Sequence, residues 1–366
     1  MKILFIIHNI SYCGAERVLA LVANELCVRG NDVYILTNPK EVSYPIDKRI
    51  NILDAYMFSP KHQTNNILGK IIRSISYSWG FSKTLKKYIN EIRPDHIVSF
   101  LGFMIWQLLP YRNSYKITIS DHSAMERNLG KKRNYERRVL PERFYCHTVL
   151  TQADKDYLGP KRTNVVVMNN PLTFAPISEE EYNDLFPIRR NILFCGSIER
   201  YKVKGLDNLI EVLAKVKKSQ PDVILDIAGQ GNKENERYIE DLASRNGVKD
   251  NIHLLGFQKD VASLMKTHKL LVVPSRSEGF GMVIIEAMAS GCPVVSYSLT
   301  GPKEIITDNT DGILVDNQNK DKLSEAIVKL LINDNQRKAI GYAALSTANR
   351  FSLSVIVDKW INIFNK

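Results

Sequence analysis

Short apolar runs alternate with helical-period segments along this chain, and the series runs twice. Residues 2–7 form an apolar, β-rich run, a glycine turn follows at Cys13-Gly14, and a helical pattern occupies 15–29 until Gly30 ends it; Val33-Tyr34-Ile35-Leu36 then reads as the next strand. This is a β-α-β opening at natural spacing. Further strands are expected at 95–100, 116–120 and 148–151, with Pro110, Pro141 and Pro160 punctuating the helices and loops between them. The pattern restarts with a strand at 191–195, a glycine turn at Gly196 and a helix at 206–219, followed by strands at 223–228, 252–255, 270–274 and 294–297. Strands alternating with helices imply a parallel sheet covered on both faces. The expectation is therefore an α/β chain of two Rossmann-like domains whose parallel sheets face each other across a cleft. The polar segment 169–187, with Pro171, Pro176, Pro187 and the acidic run Glu179–Glu181, reads as the linker between them. This gives domains at 1–170 and 171–350. Residues 351–366 form a last helix, with Trp360 and Phe364 on one face, that can pack on the second domain or cross back to the first. A length of 366 residues agrees with two domains at ~150 residues each.

No apolar run approaches the ~18 residues that a membrane span needs; Leu270-Leu271-Val272-Val273 is strand-length. The N-terminal apolar stretch is too short for a signal peptide and no small-residue cleavage site follows it, so a cytoplasmic protein is expected. Cys13, Cys27, Cys146, Cys195 and Cys292 are scattered and form no Cys-x-x-Cys pair, which argues against a disulfide framework or a zinc site. The formal charge of +11 is confined to one half: residues 1–170 hold 25 Lys+Arg against 14 Asp+Glu, and residues 171–366 hold 25 of each. The N-terminal half is thus expected to meet something anionic, whether nucleic acid, anionic lipid or a phosphorylated substrate.

The chemistry concentrates between Pro274 and Val295, in the run Pro-Ser-Arg-Ser-Glu278-Gly279-Phe280-Gly281-Met-Val-Ile-Ile-Glu286-Ala-Met-Ala-Ser-Gly-Cys-Pro-Val-Val. A strand ends at Pro274, a glycine-rich turn carries Glu278, and a helix starting near Gly281 places Glu286 on its second turn. In doubly wound sheets ligands bind beyond the carboxyl ends of strands, at helix N-termini. The backbone of Gly279–Gly281 can therefore offer N–H groups to a diphosphate. A carboxylate on that turn lies beside whatever the diphosphate carries, and one further along can accept from the vicinal hydroxyls of a ribose.

This Glu-x7-Glu stretch, with Glu-Gly-Phe-Gly before Ala-Met-Ala-x-Gly-x-Pro-Val-Val, resembles glycosyltransferase family 4, and the resemblance extends over essentially the whole chain. It implies a GT-B fold and a retaining, nucleotide-sugar-dependent transferase in which Glu278 contacts the donor sugar and Glu286 the ribose. Tyr12-Cys13-Gly14-Ala15-Glu16-Arg17-Val18 looks like the family's Gly-Gly-Ala-Glu-Arg loop, with Gly14 approaching the donor phosphate and Cys13 replacing the first glycine. The segment 194–205 corresponds to a Gly-Arg-x-x-x-x-Lys-Gly motif whose cations neutralise the leaving diphosphate. Here Ser197 stands where the arginine is usual and about two extra residues precede Lys204-Gly205, so Lys204 and Arg200, with Lys202 in reserve, are the candidates. Gly229, Gly231 and Phe257 fall where family members line the nucleotide pocket, and His122, in Ser120-Asp121-His122, where the family places a histidine close to the reacting sugar.

The resemblance also implies a UDP-sugar donor, a hexose or N-acetylhexosamine, and transfer by front-face attack without a metal, since no Asp-x-Asp stands out and no nucleophile for a covalent route is evident. The acceptor is read from the basic half. Residues 61–93 contain seven Lys+Arg against Glu91 alone, and Ile67, Leu68, Ile71, Ile72 and Ile75 share a helix face with Lys70 and Arg73 beside them. Trp79, Phe81, Lys83, Lys86 and Lys87 come next, and Arg127, Lys131, Lys132, Arg133, Arg137, Arg138 and Arg143 add a second cluster. Such a stretch can lie on an anionic membrane, and the resemblance implies that this face serves a polyprenyl-diphosphate-linked glycan in cell-surface polysaccharide synthesis on the inner face of a bacterial plasma membrane. A core-facing helix with a solvated rim explains the same spacing. A nucleic-acid-binding protein accounts for the charge but not for the two glutamates. A sugar-nucleotide epimerase and a non-catalytic sugar-nucleotide-binding protein stay open, while an NAD-dependent oxidoreductase lacks its Gly-x-Gly-x-x-Gly after the first strand.

Overall fold

The computed structural model describes residues 1–11, 14–58 and 67–366, with the side chains of 67–75 excepted. It divides into two compact units, Met1–Pro171 with Leu353–Lys366, and Leu172–Ser352. The first holds β1 (Lys2–Ile6), β2 (Asp32–Thr37), β3 (Asn51–Asp54), β4 (His96–Phe100), β5 (Lys116–Ser120), β6 (Cys146–Val149) and β7 (Val165–Val167). They pair in parallel in the order β3-β2-β1-β4-β5-β6-β7. The order reverses between β1 and β4, so the crevice at that switch lies beyond the carboxyl ends of central strands. Every residue of β4 is buried, as a strand covered by helices on both faces requires. Leu4, Ile6, Ile97, Ile117 and Ile119 from the sheet pack with Phe81, Leu85 and Ile89 of the helix Ile67–Ile92.

The last helix, Leu353–Asn365, belongs to this first unit. Trp360 stacks on Phe100 with centroids 6.3 Å apart, and Phe364 lies 4.6 Å from the ring of His96. Arg29 pairs with Asp358, Tyr145 Oη donates to the carbonyl of Ile363 at 3.3 Å, and Lys359 Nζ donates to Asn169 Oδ1 at 3.2 Å.

The second unit holds β8 (Arg190–Cys195), β9 (Leu225–Ala228), β10 (Ile252–Gly256), β11 (His268–Val273), β12 (Val294–Tyr297) and β13 (Ile313–Val315), parallel in the order β10-β9-β8-β11-β12-β13. Its switch lies between β8 and β11. Leu209, Ile210 and Leu213 of the helix Leu206–Lys217 meet Leu323, Ile327 and Leu330 of the helix Lys320–Ile332 against this sheet.

Three short strands escape the sequence reading. Residues 51–54 are half exposed at the sheet edge, and 165–167 and 313–315 are three residues each, too short for a period to register. The strand expected at 148–151 sits two residues earlier, because Thr151 leaves the sheet to cap the helix Gln152–Leu158 by accepting from the Asp154 N–H. The segment 169–187 is more than a linker. Ser178 caps a helix at Glu179–Leu185, whose first turn is the acidic run, as a helix N-terminus favours. Tyr182 within it is fully buried and donates to the Lys338 carbonyl at 2.8 Å.

Candidate active site

Three loops that leave the carboxyl ends of β8, β9 and β11 are pressed into one another, and glycines permit it. Gly205 has φ +71°, and a Cβ there would stand 1.8 Å from the carbonyl oxygen of Pro274, at the end of β11. A Cβ on Gly229 would stand 1.8 Å from the carbonyl oxygen of Gly196, and one on Gly231 would meet the Ile198 side chain at 2.8 Å. Backbone bonds complete the lacing: Gly196 N–H donates to Ala228, Ile198 N–H to Gln230 and Gly229 N–H to Gly256, each at 2.9 Å. Phe257 comes directly after Gly256, with its side chain largely exposed at the same edge.

The closure joins the two charged candidates. Lys204, the last residue of the short helix Tyr201–Lys204, donates from Nζ to Glu278 Oε2 at 2.8 Å, and Ser275 Oγ donates to the same oxygen at 3.3 Å. Both groups are partly exposed, at 23% for Lys204 and 13% for Glu278. Both protein donors thus converge on Oε2, which leaves the lone pairs of Glu278 Oε1 for a ligand among the described residues. Gly279, Phe280 and Gly281 lead into the helix Met282–Ala289, which Gly281 caps at φ +103° without a side-chain acceptor. The Ile284 N–H donates to the Gly281 carbonyl at 2.8 Å, so the N–H groups of Met282 and Val283 are the ones open to an anion among the described residues. The Phe280 ring is buried edge-to-face against Phe351 at 5.6 Å, so contact of this residue with a ligand runs through its backbone. Glu286 is 7% exposed, and its Oε1 accepts from Thr173 Oγ1 at 2.7 Å. The far end of its helix is held by the buried Arg189, which donates to the carbonyls of Ser290 and Gly291.

Arg200 ends the 3-10 turn Ile198–Arg200 and is exposed, as is Lys202. Sequence reading missed Arg276. Its guanidinium donates to both oxygens of Asp207, at 2.7 and 3.0 Å, to Asn208 Oδ1 at 2.7 Å and to the Lys202 carbonyl. The residue sits inside the motif, but its partners lie about seventy positions away, where no local pattern points.

In the first unit His122 stands just past β5. Thr148 Oγ1 donates to Ser120 Oγ at 2.8 Å, and Ser120 Oγ lies 3.0 Å from His122 Nε2. His122 Nδ1 lies 3.2 Å from Asn170 Oδ1, and the ring stacks on Phe100 at 4.7 Å. With Asn170 Oδ1 as acceptor, Nδ1 carries the proton and Nε2 accepts. Burial lowers the pKa of His122 to about 4, so the ring is neutral at pH 7. Gly14 is the first residue of the helix Gly14–Val28, and Glu16 in its first turn accepts from Ser11 Oγ at 2.8 Å. Tyr12 and Cys13, and with them the substitution in that loop, lie outside the described residues.

The basic face divides. Residues 61–66 and the side chains of Ile67, Leu68, Lys70, Ile71, Ile72, Arg73 and Ile75 lie outside the described residues. Phe81 is core, and Arg137 is buried with a bidentate bond to Asp121 at 2.6 and 2.9 Å, so neither is part of a surface; a helical period locates a face without saying which side is core. Trp79 is 64% exposed, with Lys83 Nζ 5.1 Å over its ring. Arg127, Lys131, Lys132, Arg133 and Arg143 are exposed, and Trp106 and Tyr135, also exposed, stack at 5.9 Å. No helix among the described residues is long and apolar enough to cross a membrane.

Two doubly wound parallel domains in one chain, with this loop cluster at the switch of the second, define the GT-B class of fold. Sucrose-phosphate synthase from Thermosynechococcus elongatus superposes with a TM-score of 0.80 at 18% identity, over 100% of this chain and 98% of that one. Anabaena HepE in complex with UDP gives 0.78 at 18% identity over 100% of both. Residues 183–347, somewhat less than half of the chain, match the family model described as Glycosyl transferases group 1. A full-length relative, 26% identical over 99% of this chain and 98% of its own length, is the GalNAc-alpha-(1->4)-GalNAc-alpha-(1->3)-diNAcBac-PP-undecaprenol alpha-1,4-N-acetyl-D-galactosaminyltransferase of Campylobacter jejuni.

Proposed function

We propose that this chain is a retaining, family 4 enzyme that moves a hexose or N-acetylhexosamine from a UDP-sugar to a polyprenyl-diphosphate-linked glycan, without a metal. The observation that carries the reading is the Lys204–Glu278 pair, held by laced glycine loops beside an uncapped helix N-terminus. The ammonium and the helix N–H groups supply fixed positive charge where a leaving diphosphate gains negative charge. Arg200 adds a second cation. Glu278 Oε1 accepts from a sugar hydroxyl, Glu286 accepts from the ribose, and Phe257 with Gly229 and Gly231 borders the base. UDP in the HepE structure and the undecaprenol-linked substrate in the name of the Campylobacter relative support the choice of donor and acceptor by likeness.

In the step we propose, the acceptor hydroxyl attacks the anomeric carbon on the face from which UDP departs. The bond from that carbon to the UDP oxygen breaks, the new glycosidic bond forms, and the hydroxyl proton passes to the leaving phosphate oxygen. The protein contributes orientation and charge. Neutral His122 orients a sugar hydroxyl in exchange for Ser120. The exposed Trp106–Tyr135 stack and Lys131, Lys132 and Arg133 support docking of the first unit on an anionic bilayer, on the inner face of the plasma membrane, at ~1 kcal/mol per basic residue near the surface.

The test is nucleotide release from a panel of UDP- and GDP-sugars in EDTA, with bacterial lipid-linked oligosaccharide as acceptor and product anomers read by NMR. Acceptor-dependent release from one UDP-sugar, with the donor's anomeric configuration kept, is expected. An inverted product refutes the retaining mechanism. Release of an epimer without acceptor identifies an epimerase, and binding without turnover identifies a binding protein.

A further inference from the structure

Arg276 stands two residues before Glu278 and looks like the cation that Ser197 fails to supply. Its bonds say otherwise. Nη1 donates to the Lys202 carbonyl and to Asp207 Oδ1 at 2.7 Å, and Nη2 donates to Asp207 Oδ2 at 3.0 Å and Asn208 Oδ1 at 2.7 Å. A guanidinium has five N–H donors, so four are spent inside the protein and little is left for a diphosphate. The same residue's backbone N–H donates to the Val203 carbonyl at 2.9 Å.

These bonds converge on one short stretch. Lys202 and Val203 give their carbonyls, Gly205 is pressed onto Pro274, and Asp207 and Asn208 open the helix Leu206–Lys217. Lys204 lies at the centre, the one residue of 202–205 whose side chain reaches Glu278. Asn208 is 4% exposed and the Arg276 side chain 30%, so the clamp is largely shielded from water. A planar fork meeting a carboxylate, an amide oxygen and a carbonyl at once fixes geometry in a way one ammonium does not.

We propose that Arg276 is a positioning residue that acts through Lys204: it fixes the 202–205 loop so that the Lys204 ammonium stands at the reacting diphosphate beside Glu278. This rests on the nucleotide-sugar reading given under the proposed function. Arg200 or Lys202 is then left to provide the second cation.

The test is a mutant cycle of Arg276→Met, Lys204→Met and the double variant, read as kcat/KM for donor turnover and, separately, as amide hydrogen exchange over 201–206. Displacing a catalytic group by about 1 Å costs ~10²-fold, so Arg276→Met is expected to lose about that much, and Lys204→Met, which removes the cation itself, ~10²–10³-fold. The double variant is expected to fall no more than about threefold below Lys204→Met, because the two act in series. Arg276→Lys is expected not to rescue, and Asp207→Asn to give an intermediate loss. Exchange over 201–206 is expected to quicken in Arg276→Met while the unit-two core strands stay protected. Losses that multiply in the double variant, or exchange in Arg276→Met equal to wild type, overturn the proposal. If wild type turns over no nucleotide sugar, the functional reading has failed, and the exchange result alone then decides whether Arg276 sets the loop.

Discussion

Lys204 and Glu278 are each other's partner, so neither is altered without changing the other. Glu278→Gln keeps the shape but leaves the ammonium without a counter-charge and weakens the acceptor offered to the sugar. In the proposed function Lys204→Met removes one fixed cation from the leaving group, and a loss in kcat of ~10²–10³-fold is predicted from the worth of one preorganised electrostatic group. Glu286 is different in kind. Its carboxylate is buried and held by Thr173, and in the proposed function it meets the ribose, which does not change during transfer. Glu286→Gln is therefore predicted to raise KM for the donor with a smaller effect on kcat, the signature of lost uniform binding. Initial-rate kinetics over a donor series separate the two. A fall in kcat alone for Glu286→Gln contradicts the assignment.

At the scale of elements, the site depends on backbone approaches that admit no side chain. Gly205→Ala forces a Cβ into the Pro274 carbonyl and a non-glycine residue into φ +71°. A loss of about 3 kcal/mol or more is predicted for the second unit, from left-handed strain and overpacking together. Denaturant melts measure it, and a midpoint unchanged from wild type contradicts the close packing. This lacing also marks which features were legible in the sequence. The strands Lys116–Ser120 and Val294–Tyr297 coincide with their apolar runs because both are fully or nearly buried between helices. Glu278, Lys204 and the glycine turns are visible because each belongs to a local motif in the segment that follows a strand. Arg276 is not, because its role is set by Asp207 and Asn208 across two loops. Tyr182 was hidden in a polar, proline-bearing segment, since one buried aromatic among acidic residues leaves no period to read. Arg137 and Phe81 read as surface residues in the sequence because spacing alone does not tell which side of a helix the core occupies.

For the whole molecule, the two units are predicted to differ in acid. Burial lowers His96 to about 3, and His122 and His147 to about 4, all in the first unit. The unfolded chain takes up protons below about pH 6.5 that the folded unit refuses, so stability is full above that pH and falls between about 6.5 and 3, most steeply above about 4 where all three histidines contribute. Asp226 in the second unit, bonded to His268, His253 and Asn191, is lowered to about 2 despite its burial, so its contribution is lost only between about pH 4 and 2. Hydrogen exchange by mass spectrometry on each unit at pH 7, 5.5 and 4.5 should show the first unit loosening first; simultaneous loss contradicts this. At the surface, replacing Lys131, Lys132 and Arg133 by glutamate is predicted to weaken sedimentation with phosphatidylglycerol vesicles and to leave phosphatidylcholine unaffected. Everything turns on whether the cluster around Lys204 and Glu278 transfers a sugar from a nucleotide. The most direct test is nucleotide release by wild type and by Lys204→Met, side by side in EDTA with lipid-linked acceptor. Release by wild type that falls ~10²-fold or more in the variant is the predicted result; equal release by both places the chemistry elsewhere and contradicts the account.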